Sequence, residues 1–158
     1  MTEKTVIIIP ARYASRRFEG KPLALLVGST GVGRSLIQRS WDTACEVPGV
    51  DDIFVATDDE RIAQAVWDFG GQVIMTSDTC RNGTERVAEA LQGLAMPADV
   101  VVNLQGDSPL TPPWFITRLI EEMKRDHEIQ MATPVLECDG HTLNMFLEDR
   151  RNGKVLSL

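Results

Sequence analysis

The sequence predicts an α/β fold in which a mostly parallel sheet is covered by helices on both faces. Three observations predict it: β-branched apolar runs recur along the chain, amphipathic helical stripes separate them, and several of the runs are almost wholly apolar. The chain has 158 residues, of which 43% are hydrophobic, so it can bury one sizeable core. We therefore expect residues 1–158 to form a single three-layer domain.

Five segments have the composition of strands, and four amphipathic segments have the periodicity of helices. The predicted strands cover residues 5–9, 53–56, 72–75, 100–104 and 129–135. The predicted helices cover residues 36–45, 62–69, 87–94 and 115–123. Trp41, Trp67 and Phe115 lie on the helical stripes, so we expect all three in the core.

The charge distribution indicates a small anionic ligand rather than a nucleic acid. The chain has a net charge of -7, whereas nucleic-acid-binding proteins normally present a basic surface. Residues 1–21 depart from this balance, with five basic and two acidic side chains. A local positive patch on an acidic protein is typical of a site for a small anion.

The cysteines and the apolar segments favour a cytoplasmic protein without a membrane partner. Cys45, Cys80 and Cys138 are odd in number and widely spaced, which argues against both a disulfide framework and a zinc site. Pro10 and Arg12 interrupt the first apolar segment, which is therefore too short for a signal peptide. No apolar run approaches the roughly 20 residues of a membrane-spanning helix.

A dense basic loop follows the first predicted strand. Its cations all lie within ten residues and are Arg12, Arg16, Arg17 and Lys21. Their mutual repulsion is relieved when an anion lies among them, and the small residues Ala11, Ala14 and Ser15 allow backbone N–H groups to approach phosphate oxygens. The segment predicts a phosphate site, and a solvated basic loop is the alternative.

The fourth predicted strand leads into Gln105-Gly106-Asp107. An aspartate at that point suits Mg²⁺, which binds through one or two carboxylates together with substrate phosphates and water. Asp107 could instead be only a turn former before Pro109. Ligands of parallel α/β sheets bind beyond the carboxyl ends of the strands, so we expect residues 10–21, 57–59 and 105–107 to share one edge.

Residues 82–86 open the third predicted helix with small and polar side chains. The free N–H groups of a helix N-terminus can bind a base or a carboxylate. Simple capping by Asn82 or Thr84 explains the same residues about as well. For Asp59, at the start of the preceding helix, capping is the interpretation we favour.

A competing motif lies at residues 28–35, where GSTGVGRS has the spacing of a P-loop and precedes a helix. Arg34 stands where a P-loop requires lysine, and the two side chains are not interchangeable in so tight a loop. The alternative function is a P-loop kinase or NTPase, although it leaves the basic loop without a role.

Four motifs resemble those of the 3-deoxy-manno-octulosonate cytidylyltransferases, the CMP-sugar synthetases of lipopolysaccharide biosynthesis. They occur in the family's order and spacing: IIIPARYASRRFEGKPL, FVATDDERIAQAV, MTSDTCRNGTERVAEAL and VVNLQGDSPL. The resemblance implies the Rossmann-like nucleotide-diphospho-sugar transferase fold. It also implies an enzyme that transfers CMP from CTP to 3-deoxy-manno-octulosonate and releases pyrophosphate.

The resemblance further implies roles for individual residues. Arg12, Lys21 and Asp107 would be catalytic, and Asp107 would bind Mg²⁺, the cofactor. The nucleotide would be bound by Ala11, Arg12, Ser15, Lys21, Asn82, Gly83 and Thr84. The sugar acid would be bound by Arg17, Arg86 and Gln105, with Arg17 also near the phosphates. Little covalent work would fall to the protein, because positioning and charge neutralisation dominate such transfers.

The chain departs from the family pattern in three places. Ser108 replaces the usual glutamate after QGD, Glu19 replaces the proline before GKP, and residues 28–34 form a longer segment. These changes could shift the sugar preference, for example towards an amino variant.

The chain also ends where the family continues, so we expect residues 1–158 to be the nucleotide-binding portion, without the family's C-terminal part. In the family, that part supplies a second magnesium carboxylate, much of the sugar pocket and the interface of a homodimer. A non-catalytic nucleotide-binding module is therefore a further alternative.

Overall fold

The structure, a computed structural model, describes residues 3–14, 18–94, 97–135 and 137–151. The strands in these ranges are β1 (Thr5–Ala11), β2 (Leu25–Val27), β3 (Gly33–Ser35), β4 (Asp52–Thr57), β5 (Val73–Met75) and β6 (Val100–Asn103). The helices are α1 (Leu36–Cys45), α2 (Glu60–Asp68), α3 (Gly83–Gln92), α4 (Pro113–Arg125) and α5 (Gly140–Arg151). A short 3₁₀ turn, Lys21–Leu23, lies between β1 and β2.

Four strands form a parallel sheet in the order β5-β4-β1-β6. Strand β1 is buried along its whole length, as its continuous apolar run predicts for a strand covered on both faces. The register pairs Ala11 at the end of β1 with Thr57 at the end of β4, and Ile8 with Asn103 at the end of β6. The carboxyl ends of these three strands therefore lie at one edge.

Alternate residues of β1 pack on opposite faces of the sheet, because successive side chains of a strand point to opposite sides. Ile7 and Ile9 belong to a core cluster that contains residues of α1, α2 and α4. Val6 and Ile8 belong to a second cluster that contains Val87 and Ala90 of α3. The predicted three-layer fold is confirmed.

Helices α2 and α3 each begin at a residue whose side chain caps the helix. Asp59 accepts a hydrogen bond from the backbone N–H of Arg61 at 2.9 Å, and Asn82 accepts one from that of Glu85 at 2.9 Å. Each such cap stabilises a helix by about 1 kcal/mol. The prediction that Asp59 caps a helix is confirmed.

The predicted strand at residues 129–135 is wrong. These residues have no regular structure, and Met131 and Val135 are 84% and 85% exposed. A strand needs a neighbour for its backbone hydrogen bonds, and in the described ranges none pairs with the outer edge of β6. Pro134 also lacks the N–H that a ladder requires.

Two of the three aromatic residues predicted in the core lie elsewhere. Trp41 packs against the core and lies 6.0 Å from Phe69, ring centre to ring centre. Trp67 is 49% exposed, because it lies next to Val66 at the margin of the buried stripe of α2. Phe115 is half-buried and meets the edge of Trp114 on α4 rather than the main cluster.

Within the ranges that the structure describes, no helix has both the length and the apolar content that crossing a membrane requires.

Candidate active site

The polar segments that follow three strands meet at the carboxyl edge of the sheet. Lys21, beyond β1, and Asp107, beyond β6, line one cavity. Asp58, directly after β4, forms an ion pair with Arg86, which lines the same cavity. The prediction that these segments share an edge is confirmed for their described residues.

The cavity has a volume of about 280 Å³ and a cationic lining. The predicted site residues that line it are Ala11, Arg12, Lys21, Asn82, Gly83, Arg86, Gln105 and Asp107. Among the residues that the structure describes, Arg81 adds a fourth cation to this lining, whereas Asp107 is its one acidic residue. Such a balance favours a ligand with several negative charges.

One predicted residue that the structure describes does not line the cavity, and two others cannot be compared with it. Thr84 is exposed on the first turn of α3, outside the lining. Ser15 and Arg17 lie outside the described residues.

Lys21 and Asp107 form an ion pair at the rim of the cavity. Lys21 Nζ donates to Asp107 Oδ2 at 2.7 Å, and the two side chains are 41% and 50% exposed. An exposed pair of this kind adds at most about 1 kcal/mol to stability. Each side chain can therefore leave the ion pair and bind a ligand at little cost in free energy.

Gly106 allows the loop after β6 to lie directly against the end of β1. A Cβ atom at this position would lie 2.9 Å from the backbone oxygen of Pro10, closer than such atoms approach in proteins. Ser40 of α1 holds the loop from the other side, because its hydroxyl donates to the Gly106 carbonyl at 3.0 Å. This close packing fixes the backbone that presents Gln105 and Asp107.

The N-terminus of α3 forms the opposite wall of the cavity. Asn82 caps the helix, so the capping interpretation of this residue is confirmed, and it also lines the cavity. Gly83 lies against Pro10 and Gln105, and an added Cβ would be 3.1 Å from the Pro10 ring. The backbone of the first turn of α3 is thereby brought close to the end of β1.

Arg86 is buried and forms a link that the sequence did not predict. Only 3% of the residue is exposed, and its guanidinium donates to Thr76 and pairs with Asp58 at 3.2 Å. Asp58 Oδ1 is buried without a hydrogen-bond partner in the described part of the chain. Arg86 therefore ties α3 to the ends of β4 and β5, in addition to lining the cavity.

Cys80 is a cavity residue that was missed, because nothing in its spacing marks it. Its thiol donates to Glu89 Oε2 at 3.1 Å, and Ser77 donates to the same oxygen at 2.9 Å. Burial, followed by the hydrogen bond to Glu89, raises the pKa of the Cys80 thiol. The hydrogen bond from the Cys80 thiol, followed by those from Ser77, lowers the pKa of the Glu89 carboxyl.

The P-loop alternative finds no support in the structure. Residues 28–32 join β2 to β3 in a small antiparallel hairpin, instead of linking a central parallel strand to a helix. Arg34 pairs with Asp42, and Arg39 donates to the Leu26 carbonyl at 2.7 Å, so that it holds the hairpin against α1. The glycines of this segment therefore belong to a hairpin turn.

Comparisons with known proteins agree with this geometry. The family model described as cytidylyltransferase matches residues 6–146. The 3-deoxy-manno-octulosonate cytidylyltransferase of Maricaulis maris (strain MCS10) is 47% identical over 146 residues, which are 92% of this chain and 54% of that protein. The mitochondrial enzyme of the same name from Arabidopsis thaliana is 48% identical over 84% of this chain and 44% of its own length.

A solved structure is also similar, that of CMP:2-keto-3-deoxy-manno-octonic acid synthetase complexed with CTP. It superposes with a TM-score of 0.74 and 42% sequence identity over 80% of this chain and 50% of that chain. The chain thus spans about half the length of the relatives that it matches. The extent of the family match, together with the fold and the cation-lined edge of the sheet, shows that the chain belongs to the cytidylyltransferase family.

Proposed function

We propose that residues 1–158 form one nucleotide-binding domain of an enzyme that transfers CMP from CTP to 3-deoxy-manno-octulosonate, or a close sugar acid, and releases pyrophosphate. The observation that carries the proposal is the contact of Lys21 Nζ with Asp107 Oδ2, 2.7 Å long, at the rim of a cationic cavity. The names of the relatives supply the substrates.

The triphosphate of CTP is the ligand that fits the cations of the cavity. Arg12 and Lys21 come from the loop after β1 and line the cavity together with Ala11. Phosphate oxygens accept charge-assisted hydrogen bonds from such groups, which are about twice as strong as neutral ones. We assign Lys21 and Arg12 to the phosphates, and Asn82 and Gly83 to the cytidine side of the nucleotide.

Asp107 fits a role in binding Mg²⁺ together with the phosphates. Among the described residues there is no cluster of three acidic, cysteine or histidine side chains that would hold a metal alone. A half-exposed carboxylate at the rim of a phosphate site suits this ion, which takes one or two carboxylates plus phosphate oxygens. When bound, Mg²⁺ would neutralise phosphate charge and polarise the phosphoryl oxygens.

The chain's own residues position and neutralise the reactants. The anomeric hydroxyl oxygen of the sugar bonds to the α-phosphorus, the bond from this phosphorus to pyrophosphate breaks, and the hydroxyl proton leaves to solvent. Lys21 and Arg12 stabilise the charge that builds up on the leaving pyrophosphate. Gln105 and Arg86 would contact the sugar acid, although the buried contacts of Arg86 leave it little freedom to move.

The remaining assignments are the oligomeric state and the cellular compartment. We propose that the full-length protein forms a homodimer, as the family resemblance implies. Cys45, Cys80 and Cys138 are free thiols, as expected in a reducing compartment such as the cytoplasm.

The proposal is tested by binding and by turnover. Calorimetric titration of the chain with CTP, in the presence and absence of Mg²⁺, is expected to show metal-dependent binding, with ATP binding more weakly. Pyrophosphate release is then measured with CTP, Mg²⁺ and 3-deoxy-manno-octulosonate.

Each outcome separates one alternative. Binding of CTP without pyrophosphate release identifies a non-catalytic nucleotide-binding module. A preference for ATP or GTP supports the P-loop alternative. Failure to bind any nucleotide refutes the assignment of the cavity.

A further inference from the structure

Arg61 stacks on Tyr13 from outside the cavity. The guanidinium carbon of Arg61, on α2, lies 3.3 Å from the centre of the Tyr13 ring. Tyr13 belongs to the basic loop after β1, residues 12–21, which carries Arg12 and Lys21. The contact therefore joins the loop that follows β1 to the helix that follows β4.

Asp59 holds the Arg61 guanidinium in this orientation. Its two carboxylate oxygens accept from Arg61 Nε at 3.0 Å and from Nη2 at 2.7 Å. Asp59 is itself fixed, because it caps α2 and is only 17% exposed. The side-chain hydrogen bonds lower the pKa of Asp59 and raise that of Arg61, so both groups stay charged near neutral pH. A two-point pair of this kind fixes the plane of the guanidinium.

Tyr13 in turn contacts Gly20, near the other end of the basic loop. Its carbonyl accepts from the Gly20 N–H at 2.9 Å, and Gly20 has a left-handed φ of 69°. A Cβ atom at Gly20 would lie 3.0 Å from the Tyr13 ring, so this ring packs directly on the glycine backbone. The next residue is Lys21, whose amine reaches Asp107.

We propose that Arg61 and Asp59 act as a clamp that fixes the Tyr13 ring and thereby presets Gly20 and Lys21 for the triphosphate. The inference rests on the proposed function for its ligand. Arg61 does not line the cavity, so it is a positioning residue that acts through Tyr13. Ordering these two residues in advance lowers the conformational entropy that is lost when a nucleotide binds.

The effect is expected to be small and measurable. Arg61 is 59% exposed, and a cation–π contact at an exposed site changes an equilibrium by roughly 2- to 5-fold. Arg61→Met and Tyr13→Leu should each speed the amide exchange of Gly20 and weaken CTP binding by about that factor. The double variant should be little worse than either single variant, because both remove the same contact.

Conservative and control variants separate positioning from general destabilisation. Tyr13→Phe keeps the ring, so its Gly20 exchange rate and CTP affinity should match those of the wild type. Arg61→Lys loses the two-point pair, so both quantities should lie between those of the wild type and Arg61→Met. Arg118→Met is the matched control, since Arg118 is 64% exposed and pairs with Glu122 on α4, away from the cavity. All variants should unfold at similar temperatures.

The measurement is residue-resolved hydrogen exchange of Gly20, followed by calorimetry with CTP and Mg²⁺. Faster exchange in Arg61→Met and Tyr13→Leu, but not in Arg118→Met, supports the clamp. Unchanged exchange overturns it, as does unchanged affinity in a chain that binds CTP. If the wild-type chain binds no CTP, the proposed function is refuted instead. The exchange data then still test whether Arg61 and Asp59 fix Tyr13.

Discussion

Replacing Lys21 by methionine separates a ligand-binding role from a structural one. Lys21 contacts Asp107 with exposed side-chain fractions of 41% and 50%, so the loss of this pair costs at most about 1 kcal/mol of stability. That corresponds to a fall of about 2–4 °C in the unfolding temperature of a chain of this size. A charge-assisted hydrogen bond to a phosphate contributes more, about 1.5–3 kcal/mol. We therefore expect CTP affinity to fall roughly 10- to 150-fold.

Arg34→Met is the matched control for this experiment. Arg34 pairs with Asp42, and the two side chains have similar exposed fractions of 47% and 35%, but the pair lies at the hairpin. Calorimetry with CTP and Mg²⁺ gives the affinities, and thermal unfolding gives the stabilities. The reasoning is refuted if Lys21→Met weakens CTP binding no more than Arg34→Met, or if it lowers stability by several kcal/mol.

Three further predictions concern the walls of the cavity. Gly106→Ala should lower stability by about 1–3 kcal/mol in chemical denaturation, because its Cβ would lie 2.9 Å from the Pro10 oxygen; wild-type stability would contradict this packing. Asn82→Ala should cost about 1 kcal/mol through loss of the helix cap, and an unchanged denaturation midpoint would argue against that role. Cys80 should react more slowly than Cys138 with iodoacetamide near neutral pH, as followed by mass spectrometry, since burial and then Glu89 raise its thiol pKa. Equal rates at the two cysteines would show that Cys80 is not shielded.

Much of the fold could be predicted because its signals are local. Strand β1 is a continuous apolar run, and that pattern suffices for a central strand covered on both faces. The strand predicted at residues 129–135 also contains apolar and β-branched residues, but a strand depends on a neighbour that composition does not reveal. The hairpin of β2 and β3 was missed for a related reason, since its six residues are mostly exposed and carry little periodicity.

The candidate site could be predicted at the positions where charged residues are concentrated in the sequence. Contacts between residues distant in the chain could not be predicted. The positions of Lys21 and Asp107 follow from two strand ends that meet at one edge of a parallel sheet. The pairing of Arg86 with Asp58 joins residues far apart in the chain, and neither motif specifies its partner. The stacking of Arg61 on Tyr13 likewise depends on how α2 lies beside the basic loop, which only the folded chain determines.

We expect the nucleotide to bind in the cavity between the loop after β1, the loop after β6 and the start of α3. The most direct measurement is a backbone amide NMR spectrum of the chain, recorded during titration with CTP and Mg²⁺. Shifts concentrated at Ala11, Gly83 and Gly106, with the hairpin residues 28–33 unchanged, are the predicted result. Shifts concentrated at residues 28–33 instead, or no shifts at saturating CTP, would contradict it.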